Sequence, residues 1–495
     1  MAVIIAIDAG TTGVRAFAVD ELGQPITSAY REFTQHFPRP GWVEHDPEEI
    51  WEAVQATLAT LVEQVPGPIA AIGITDQRET VVVWDRRDGR PRHRAIVWQD
   101  RRTAARCAEL TDAGHLPLVR ATTGLVLDPY FSATKLEWLL RTGAVEADEH
   151  LAFGTIDSWL VWKLTGGAAH VTDTTNASRT LLFDLRTLDW SPELVDLFGI
   201  PTSCLPEVRP SSGRFGVTAD TTALGAGIAV SGIAGDQQAA LFGQACVRPG
   251  MTKNTYGTGS FVLMNVGTEC PDPVEGLLTT VAFTVPDGPG TVRTDYALEG
   301  AIFVTGAAVQ WLRDGLGIIA EAAEVGPLAE SVDDTGGVVL VPAFAGLGSP
   351  WWDPYARGTI VGITRGTTRA HLARAVVEAM SFQTRDVVEA MASASGRRVE
   401  ALRVDGGASV MDLLLRHQAD QLGVTVSRPA NQETTALGAA YLAGLAEGVW
   451  GSLDDLEAHW ALDLEVTPSS DRAAADAAHA TWRRAVERSR HWATD

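Results

Sequence analysis

The segment from Ile5 to Asp20, IAIDAGTTGVRAFAVD, constrains the fold more than any other part of the chain. An apolar strand ends at Asp8, a turn rich in glycine and threonine follows, and a second apolar strand contains Arg15. Converging backbone N–H groups, hydroxyls and an arginine are typical of an anion site. A carboxylate at the mouth of that site repels an anion unless a cation lies between them, so the segment predicts a phosphate bound with Mg²⁺. A β-hairpin with an exposed Asp and Arg is the competing interpretation.

The lysines exclude one common kind of nucleotide site. The chain contains three, Lys135, Lys163 and Lys253, and none of them follows a glycine. A Walker A loop of the form GxxxxGK[ST] is therefore absent from this sequence. If the protein binds ATP, it uses another architecture.

The order of strands and helices predicts an α/β protein. At 495 residues the chain is too long for a single core, and at least two large domains are expected. A helix should begin after Asp46 as N-cap, with Pro47 at its first position and Glu49 three residues after the cap. Strands are predicted in the first half at Val3–Ile7, Arg15–Val19, Ile26–Phe33 and Ala70–Thr75, with a hairpin through Val81–Trp84 and Ala95–Trp98.

The second half repeats this pattern. Asn254–Val266 predicts a strand, a Gly-Thr-Gly turn and a second strand, and Val404–Leu414 predicts a strand, two glycines and a helix. Paired glycines before a helix allow a ligand to approach the helix N-terminus, although tight packing explains them equally well. The repetition favours two similar domains that face one another across a nucleotide cleft.

Net charge and cysteine content limit the kinds of partner and the cellular compartment that are expected. A formal net charge of -23 argues against nucleic acid or an anionic membrane surface, because both reward basic patches. The cysteines at 107, 204, 246 and 270 form no CxxC pair and predict reduced thiols in a cytoplasm. The opening residues lack the basic region of a signal peptide, and no apolar run approaches about 20 residues, so no membrane span is expected.

Several motifs resemble those of one family. DAGTTGVR, GTGS and VDGG are similar to the sugar kinase, Hsp70 and actin superfamily. Tyr130–Leu139 and Gly358–Glu378 look like the two signatures of its FGGY carbohydrate kinases. Nearly the whole chain resembles the glycerol kinases of that family, through PGWVEHDPEEIW, GITDQRET, IVWQDRR, TGLVLDPYFSATK, TDTTNASRT, SGIAGDQQAALFGQ, KNTYGTGSF, YALEGA and PAFAGLGSPWWDPYARG.

The resemblance implies a fold and a reaction. The fold would be two actin-like, ribonuclease H-like domains flanking a nucleotide cleft, at residues 1–246 and 247–495. The reaction would be the ATP-dependent phosphorylation of glycerol to sn-glycerol 3-phosphate, the first step of glycerol catabolism, with Mg²⁺ as cofactor. A homodimer or homotetramer is also implied.

The resemblance also assigns site residues. Asp236 would be the catalytic base, and Asp8 would hold Mg²⁺. Glycerol would be bound by Arg78, Glu79, Trp98, Tyr130, Asp236, Gln237 and Phe261. ATP would be bound by Thr11, Thr12, Arg15, Gly257, Thr258, Gly259, Gly306, Gln310, Gly407 and Ala408. Each residue has a plainer interpretation, such as a surface ion pair for Arg78 and Glu79, core packing for Trp98 and Phe261, or an ordinary N-cap for Asp236.

Some residues depart from the family pattern. Ala9, Gly13 and Val14 replace polar residues near the phosphates, which puts ATP affinity in doubt, and Met411 stands where an Asn commonly contacts adenine. A kinase of the same family acting on another polyol or ketose is therefore an alternative. An actin-like or chaperone-like ATPase is a second one, although it would have no reason to combine Arg78, Trp98, Tyr130 and Phe261.

The segment Thr218–Gln238 bears on how the protein is regulated. Some bacterial members of the resembled group are inhibited by fructose 1,6-bisphosphate at a Gly-rich loop with an Arg, and others are activated by phosphorylation of a His in the same region. The corresponding segment here, Thr218–Gln238, contains no Arg, Lys or His. A bisphosphate needs charge-assisted donors, so neither control is expected.

Overall fold

A computed structural model describes residues 2–288, 290–469 and 471–493. The strands of the first half are β1 Val3–Ala9, β2 Gly13–Val19, β3 Pro25–Glu32, β4 Glu44–His45, β5 Ile69–Asp76, β6 Val82–Asp85, β7 Ala95–Ile96, β8 Leu151–Gly154, β9 Val171–Asp173, β10 Phe183–Asp184, β11 Asp189–Trp190, β12 Glu207–Arg209, β13 Ser212–Val217 and β14 Ala229–Gly235. Its helices are α1 Pro47–Val62, α2 Ala104–Asp112, α3 Leu116–Thr123, α4 Ser132–Arg141, α5 Ile156–Leu164, α6 Thr174–Ala177, α7 Pro192–Leu197 and α8 Asp236–Gly243.

The second half continues the alternation. Its strands are β15 Thr252–Tyr256, β16 Ser260–Gly267, β17 Leu278–Pro286, β18 Val292–Ile302, β19 Val339–Val341, β20 Thr359–Val361, β21 Ala401–Asp405, β22 Thr425–Pro429 and β23 Leu462–Val466. Its helices are α9 Gly306–Gln310, α10 Val325–Glu330, α11 Arg369–Ser395, α12 Asp412–Leu422, α13 Thr434–Ala446, α14 Leu453–His459 and α15 Arg472–Ser489. The predicted α/β class is confirmed.

A six-stranded sheet forms the centre of the first half, in the order β13-β14-β5-β1-β2-β3. Strands β14, β5 and β1 are parallel, whereas β1, β2 and β3 form the predicted antiparallel meander. Strand β1 is almost continuously apolar and buried, as expected for a strand covered on both faces. Parallel strands end at the same edge of a sheet. Asp8, Asp236 and the residues that follow Asp76 therefore all lie at one edge.

The second half has a seven-stranded sheet in the order β17-β18-β16-β15-β21-β22-β23. The hairpin β15-β16 turns at Gly257–Gly259, and β15 runs parallel to β21. Thr255 pairs with Asp405, so the turn lies next to the paired glycines Gly406 and Gly407 that follow β21. A hairpin beside a parallel strand occurs in both sheets, which confirms the predicted repetition.

Helix α13 connects the two halves. It comes from the second half but packs against α8 and against β5 and β14 of the first sheet. Glycines permit this close approach, because an added Cβ on Gly73 or Gly243 would collide with the α13 backbone at Ala439 or Thr434. The α13 sequence TTALGAAYLAGLA is apolar on nearly all sides, as a helix enclosed by other elements requires.

One local prediction was confirmed and one was wrong. Helix α1 begins as predicted, with Asp46 accepting a hydrogen bond from the Glu48 N–H at 2.9 Å, but Glu49 accepts from the Thr34 N–H instead of completing a capping box. The predicted pairing of Val81–Trp84 with Ala95–Trp98 in a hairpin was wrong. Only an isolated bridge joins Val81 to Ile96, while β6 pairs with β8 and β7 pairs with β4. The four residues of β8 are all buried, so pairing with β8 places β6 in the core.

The described residues contain no helix long and apolar enough to cross a membrane. The four cysteines are free thiols, and three of them are buried.

Candidate active site

The turn after β1 has the form that its sequence predicts. The Gly10 N–H donates to the Gly13 carbonyl at 3.0 Å, which closes the turn and leaves Thr11 and Thr12 at its tip. An added Cβ on Gly13 would lie 2.6 Å from the Tyr30 hydroxyl oxygen and 2.7 Å from the Arg31 carbonyl oxygen. Tyr30 therefore fills the space that a side chain at position 13 would need.

Asp8 is a carboxylate with too little local compensation. Burial and the negative charge of nearby Asp236 raise the pKa of Asp8 to about 7, and Arg15 only partly opposes this change. The described residues include no group of three or more His, Cys, Asp or Glu side chains that would hold a metal by themselves. Mg²⁺ fits such a place, because it is usually bound by one or two carboxylates, with phosphates and waters completing its shell.

Arg15 reaches across to the second half. Its guanidinium forms an ion pair with Glu433, which immediately precedes α13. Both side chains are partly exposed. Arg15, which follows the Gly10–Gly13 turn, is thus already engaged by a carboxylate from the other half.

Arg78 is the centre of a buried polar cluster at the same edge of the sheet. Its side chain is 1% exposed, and its Nε lies 3.2 Å from Asp236 Oδ1. Its Nη2 lies 3.4 Å from the Tyr130 hydroxyl. The adjacent Glu79 has a φ of 65°, in the left-handed region that non-glycine residues rarely occupy. Backbone strain of this kind is concentrated at functional sites.

Two further charges complete this cluster, and sequence reasoning did not single them out. Glu299 Oε2 lies 2.5 Å from Arg78 Nη1, and Arg179 donates to Glu79 Oε1 at 2.7 Å and to Glu299 Oε1 at 3.0 Å. Arg78, Glu79, Arg179 and Glu299 are at most 1% exposed as side chains. Their formal charges cancel, which is what permits four ions to be buried together. Both missed residues lie in motifs that carry the family resemblance, TDTTNASRT and YALEGA.

The pKa values of the two buried carboxylates, Glu299 and Glu79, shift in opposite directions. Burial alone would raise the pKa of Glu299, but Arg179 and Arg78 outweigh it and lower that pKa to about 2. At Glu79 burial prevails over the same two arginines, and the pKa is raised. Glu299 is therefore the firmly ionised partner of both guanidinium groups.

Aromatic side chains surround the polar cluster. The rings of Trp98 and Tyr130 meet edge to face with centroids 5.6 Å apart, and the Arg78 guanidinium carbon lies 5.8 Å from the Phe261 ring centre. The Trp98 indole N–H donates to the Thr11 hydroxyl at 3.0 Å, which joins this cluster to the Gly10–Gly13 turn. The structure thus brings together Arg78, Glu79, Trp98, Tyr130, Asp236 and Phe261 as the sequence predicted.

Asp236 is the first residue of α8 and is not an ordinary N-cap. The N-cap position is Gly235, and Asp236 accepts a hydrogen bond from the N–H of the next residue, Gln237, at 2.7 Å. Its side chain remains 33% exposed beside Arg78. The Gln237 side chain points to Lys253, whose Nζ donates to Gln237 Oε1 at 2.5 Å.

The second half contains a cavity of about 670 Å³, within the usual range for small-molecule and cofactor sites. Six of the predicted ATP residues line it, namely Gly257, Thr258, Gly306, Gln310, Gly407 and Ala408. Gly259 is not among the lining residues; it closes the turn by accepting a hydrogen bond from the Gly257 N–H at 2.8 Å. The cavity has an apolar wall formed by Val309, Val325, Pro327 and Met411. Of these four residues, only Met411 was singled out from the sequence.

Comparisons with known proteins agree with this geometry. Residues 3–243 match the N-terminal domain of the FGGY family of carbohydrate kinases, and residues 252–447 match its C-terminal domain. A glycerol kinase from Carboxydothermus hydrogenoformans is 54% identical, covering 99% of this chain and 98% of that protein. One from Trichlorobacter lovleyi is 56% identical over the full length of both proteins. The crystal structure of Plasmodium falciparum glycerol kinase with ADP superposes with a TM-score of 0.92 at 34% identity, covering 99% of this chain and 98% of that one.

Proposed function

The chain belongs to the FGGY family of carbohydrate kinases, and we propose that it is a glycerol kinase that converts glycerol and ATP to sn-glycerol 3-phosphate and ADP. This reaction is the first step of glycerol catabolism. One observation carries the proposal: Asp236 lies beside the buried Arg78 and near Asp8, which precedes the Gly10–Gly13 turn. It is 3.2 Å from Arg78, and its charge raises the pKa of Asp8.

The cluster around Arg78 suits a small polyol. Glycerol has one polar edge and one edge of C–H groups, so its site should combine charged partners with aromatic faces. Arg78, Glu79, Tyr130 and Gln237 supply the polar contacts, and Trp98 and Phe261 supply the apolar ones. The contacts of Arg78 with Asp236, Glu299 and Tyr130 hold its guanidinium in one orientation.

The nucleotide would extend from the cavity of the second half toward the first turn. Gly306, Gln310, Gly407 and Ala408 would hold the nucleoside, and Gly257, Thr258 and Gly259 would lie along the phosphates. Thr11, Thr12 and Arg15 would contact the transferred phosphoryl group. Asp8 would hold the Mg²⁺ of MgATP, which neutralises phosphate charge during the transfer.

Asp236 is proposed as the general base. Phosphoryl transfer depends mainly on alignment and charge stabilisation, with a base to accept the proton of the attacking hydroxyl. The partly exposed carboxylate of Asp236 is held by Arg78 at the edge of the sheet, where a glycerol hydroxyl would meet the γ-phosphate. It accepts the hydroxyl proton as the new O–P bond forms.

We propose residues 1–246 and 247–495 as the two domains, because each contains one of the large sheets. Assembly as a homodimer or homotetramer stays a proposal from the family resemblance. A cytoplasmic location is proposed because both substrates are water-soluble metabolites and the cysteines are free thiols.

The decisive assay measures ADP release with glycerol, with erythritol or xylulose, and without any acceptor. Glycerol-dependent release with the highest kcat/KM for glycerol is expected. A higher kcat/KM for erythritol or xylulose would indicate another polyol or ketose kinase of the family. Release that needs no acceptor would indicate an ATPase instead.

A further inference from the structure

Lys253 is a buried cation at the floor of the cleft. It belongs to β15 and is 0% exposed. Its ammonium donates to Gln237 Oε1 at 2.5 Å and to Thr255 Oγ1 at 2.9 Å. Gln237 follows the proposed base on α8, and Thr255 precedes the Gly257–Gly259 turn. Lys253 therefore joins the proposed glycerol side of the cleft to the proposed phosphate side.

The surroundings of Lys253 contain charges of both signs. Burial lowers its pKa to about 8, Asp405, Asp236 and Glu299 oppose that change, and Arg78 adds to it. Lysine is almost never fully buried without a specific partner. Among the described residues, the ammonium hydrogen-bonds only to Gln237 and Thr255, and Asp405, Asp236 and Glu299 favour its charged form. A methionine would fill a similar volume without the charge or the hydrogen bonds.

The contact with Gln237 has a chemical consequence. A lysine ammonium carries three donors and no acceptor, so it can bind only the oxygen of a side-chain amide. With Oε1 turned toward Lys253, the Nε2 group of Gln237 must face the other way. The Gln237 amide then presents donors, and no acceptor, to a ligand beside Asp236.

We propose that Lys253 is a positioning residue that fixes the amide of Gln237 as a hydrogen-bond donor to the glycerol hydroxyl that is phosphorylated. The hydroxyl oxygen accepts from Gln237 Nε2 while its proton is donated to Asp236. This arrangement aims an oxygen lone pair at the γ-phosphorus and the proton at the base. The inference rests on the proposed function and adds to it a residue that touches neither substrate.

The test is a double-mutant cycle on Lys253 and Gln237. Steady-state constants are measured for wild type, K253M, Q237A and K253M/Q237A, with K163M as control. Lys163 likewise has a side-chain partner, since its Nζ lies 2.9 Å from Glu48, but it belongs to α5 and contacts none of the proposed site residues. K253M should lower kcat/KM for glycerol by about 10- to 100-fold, the usual cost of losing fixed geometry at a reacting group.

The double variant should be no more than about threefold worse than Q237A, because Lys253 acts through Gln237. The KM for ATP should change by less than about threefold, whereas a loosened fold would weaken the binding of both substrates. Constants for K253M equal to those of K163M, or losses that multiply in the double variant, would overturn the proposal. If K253M does not fold, T255V replaces it in the cycle, because it removes the second anchor of the ammonium.

The constants are taken on the polyol that wild type phosphorylates fastest. A substrate other than glycerol would then defeat the proposed function, while the cycle would still decide the role of Lys253.

Discussion

Glu299 extends from strand β18 of the second half to Arg78 of the first, where its two oxygens lie 2.5 and 3.3 Å from the guanidinium nitrogens. Both side chains are almost completely buried. The residue proposed to bind glycerol in one half is therefore held in place by a carboxylate from the other. The orientation of Arg78 therefore depends on a contact between the two halves.

We expect E299Q to weaken glycerol use strongly. Glutamine keeps the volume of Glu299 but removes its charge, which leaves Arg179 with Glu79 alone and Arg78 with Glu79 and the partly exposed Asp236. Breaking a buried ion pair costs about 3–5 kcal/mol, so both the melting temperature and kcat/KM for glycerol should fall, the latter by about 100-fold. D272N is the control, because Asp272 pairs with Arg186 at an exposed site, where such pairs contribute little. Wild-type kinetics in E299Q would contradict the proposed role.

D236N should separate binding from chemistry. The amide oxygen of the introduced asparagine can still accept a hydrogen bond, but it cannot take the hydroxyl proton. Loss of a general base typically costs about 10²–10⁴-fold in rate, so kcat should fall by that factor while calorimetry still detects glycerol binding. A kcat close to that of wild type would show that Asp236 only shapes the start of α8.

The sequence predicted which residues meet at the candidate site better than it predicted the local pairing of strands. The turns at Gly10–Gly13 and Gly257–Gly259 were predictable because glycine and hydroxyl residues have few other reasons to interrupt apolar strands. The partner of β6 was not, since Val82–Asp85 and Leu151–Gly154 are far apart in the chain and either of two short strands could have paired with β6.

Arg179 and Glu299 were missed for a different reason. A single charge within TNASRT or YALEGA does not reveal that it will meet three other charges from distant segments. Only the fold brings Arg78, Glu79, Arg179 and Glu299 together, and only then does each buried ion acquire its compensation. Lys253 is similar, because its partner Gln237 comes from another element.

Asp76 gives a prediction about stability and pH. It is 0% exposed, it accepts a hydrogen bond from Asn176 at 3.0 Å, and its second oxygen has no partner among the described residues. Burial, reinforced by the charge of Asp157, raises its pKa well above the ordinary value of 3.8. As the pH rises above about 4, the unfolded chain therefore releases this proton before the folded protein does, and stability falls.

D76N should remove this loss of stability at higher pH. Asparagine has no proton to release, so the difference in melting temperature between D76N and wild type should be smallest near pH 4 and should grow toward pH 8.5. A pKa that is one unit higher in the folded protein than in the unfolded chain corresponds to about 1.4 kcal/mol, which makes the effect measurable by calorimetry. D112N, at an exposed position on α2, should show no such trend. A difference that does not depend on pH would mean that Asp76 is ionised in the folded protein.

Met411 should limit the recognition of adenine. It lines the cavity of the second half beside Gly326 and Pro327, where a side-chain amide would be able to hydrogen-bond the base of the proposed nucleotide. A hydrogen bond contributes about 0.5–1.5 kcal/mol net, so M411N should lower the KM for ATP by about 2- to 12-fold and increase discrimination against GTP. M411L preserves the apolar wall and should leave both values unchanged. Equal constants for M411N and M411L would place the adenine elsewhere.

The last prediction concerns regulation, and the structure adds neighbours that the sequence of the Thr218–Gln238 segment could not show. A cavity of about 420 Å³ beside Thr221 is lined by Arg86, Arg87 and Lys163. These cations are already engaged: Arg87 lies 2.6 Å from Asp85, Lys163 lies 2.9 Å from Glu48, and Arg86 donates to the Ser203 carbonyl at 2.6 Å. A bisphosphate would have to displace those partners to gain its charge-assisted hydrogen bonds.

We therefore expect fructose 1,6-bisphosphate at millimolar concentration to leave the steady-state rate unchanged. The measurement is a titration at subsaturating glycerol and ATP, where a bound inhibitor has its largest effect. Substantial inhibition would contradict the prediction, and its loss in an R86A/R87A/K163A variant would identify this cavity as the site. Activation by a phosphohistidine in the segment is not expected either, because Thr218–Gln238 contains no His. Incubation with the phosphotransfer protein of the sugar phosphotransferase system should accordingly leave the activity unchanged.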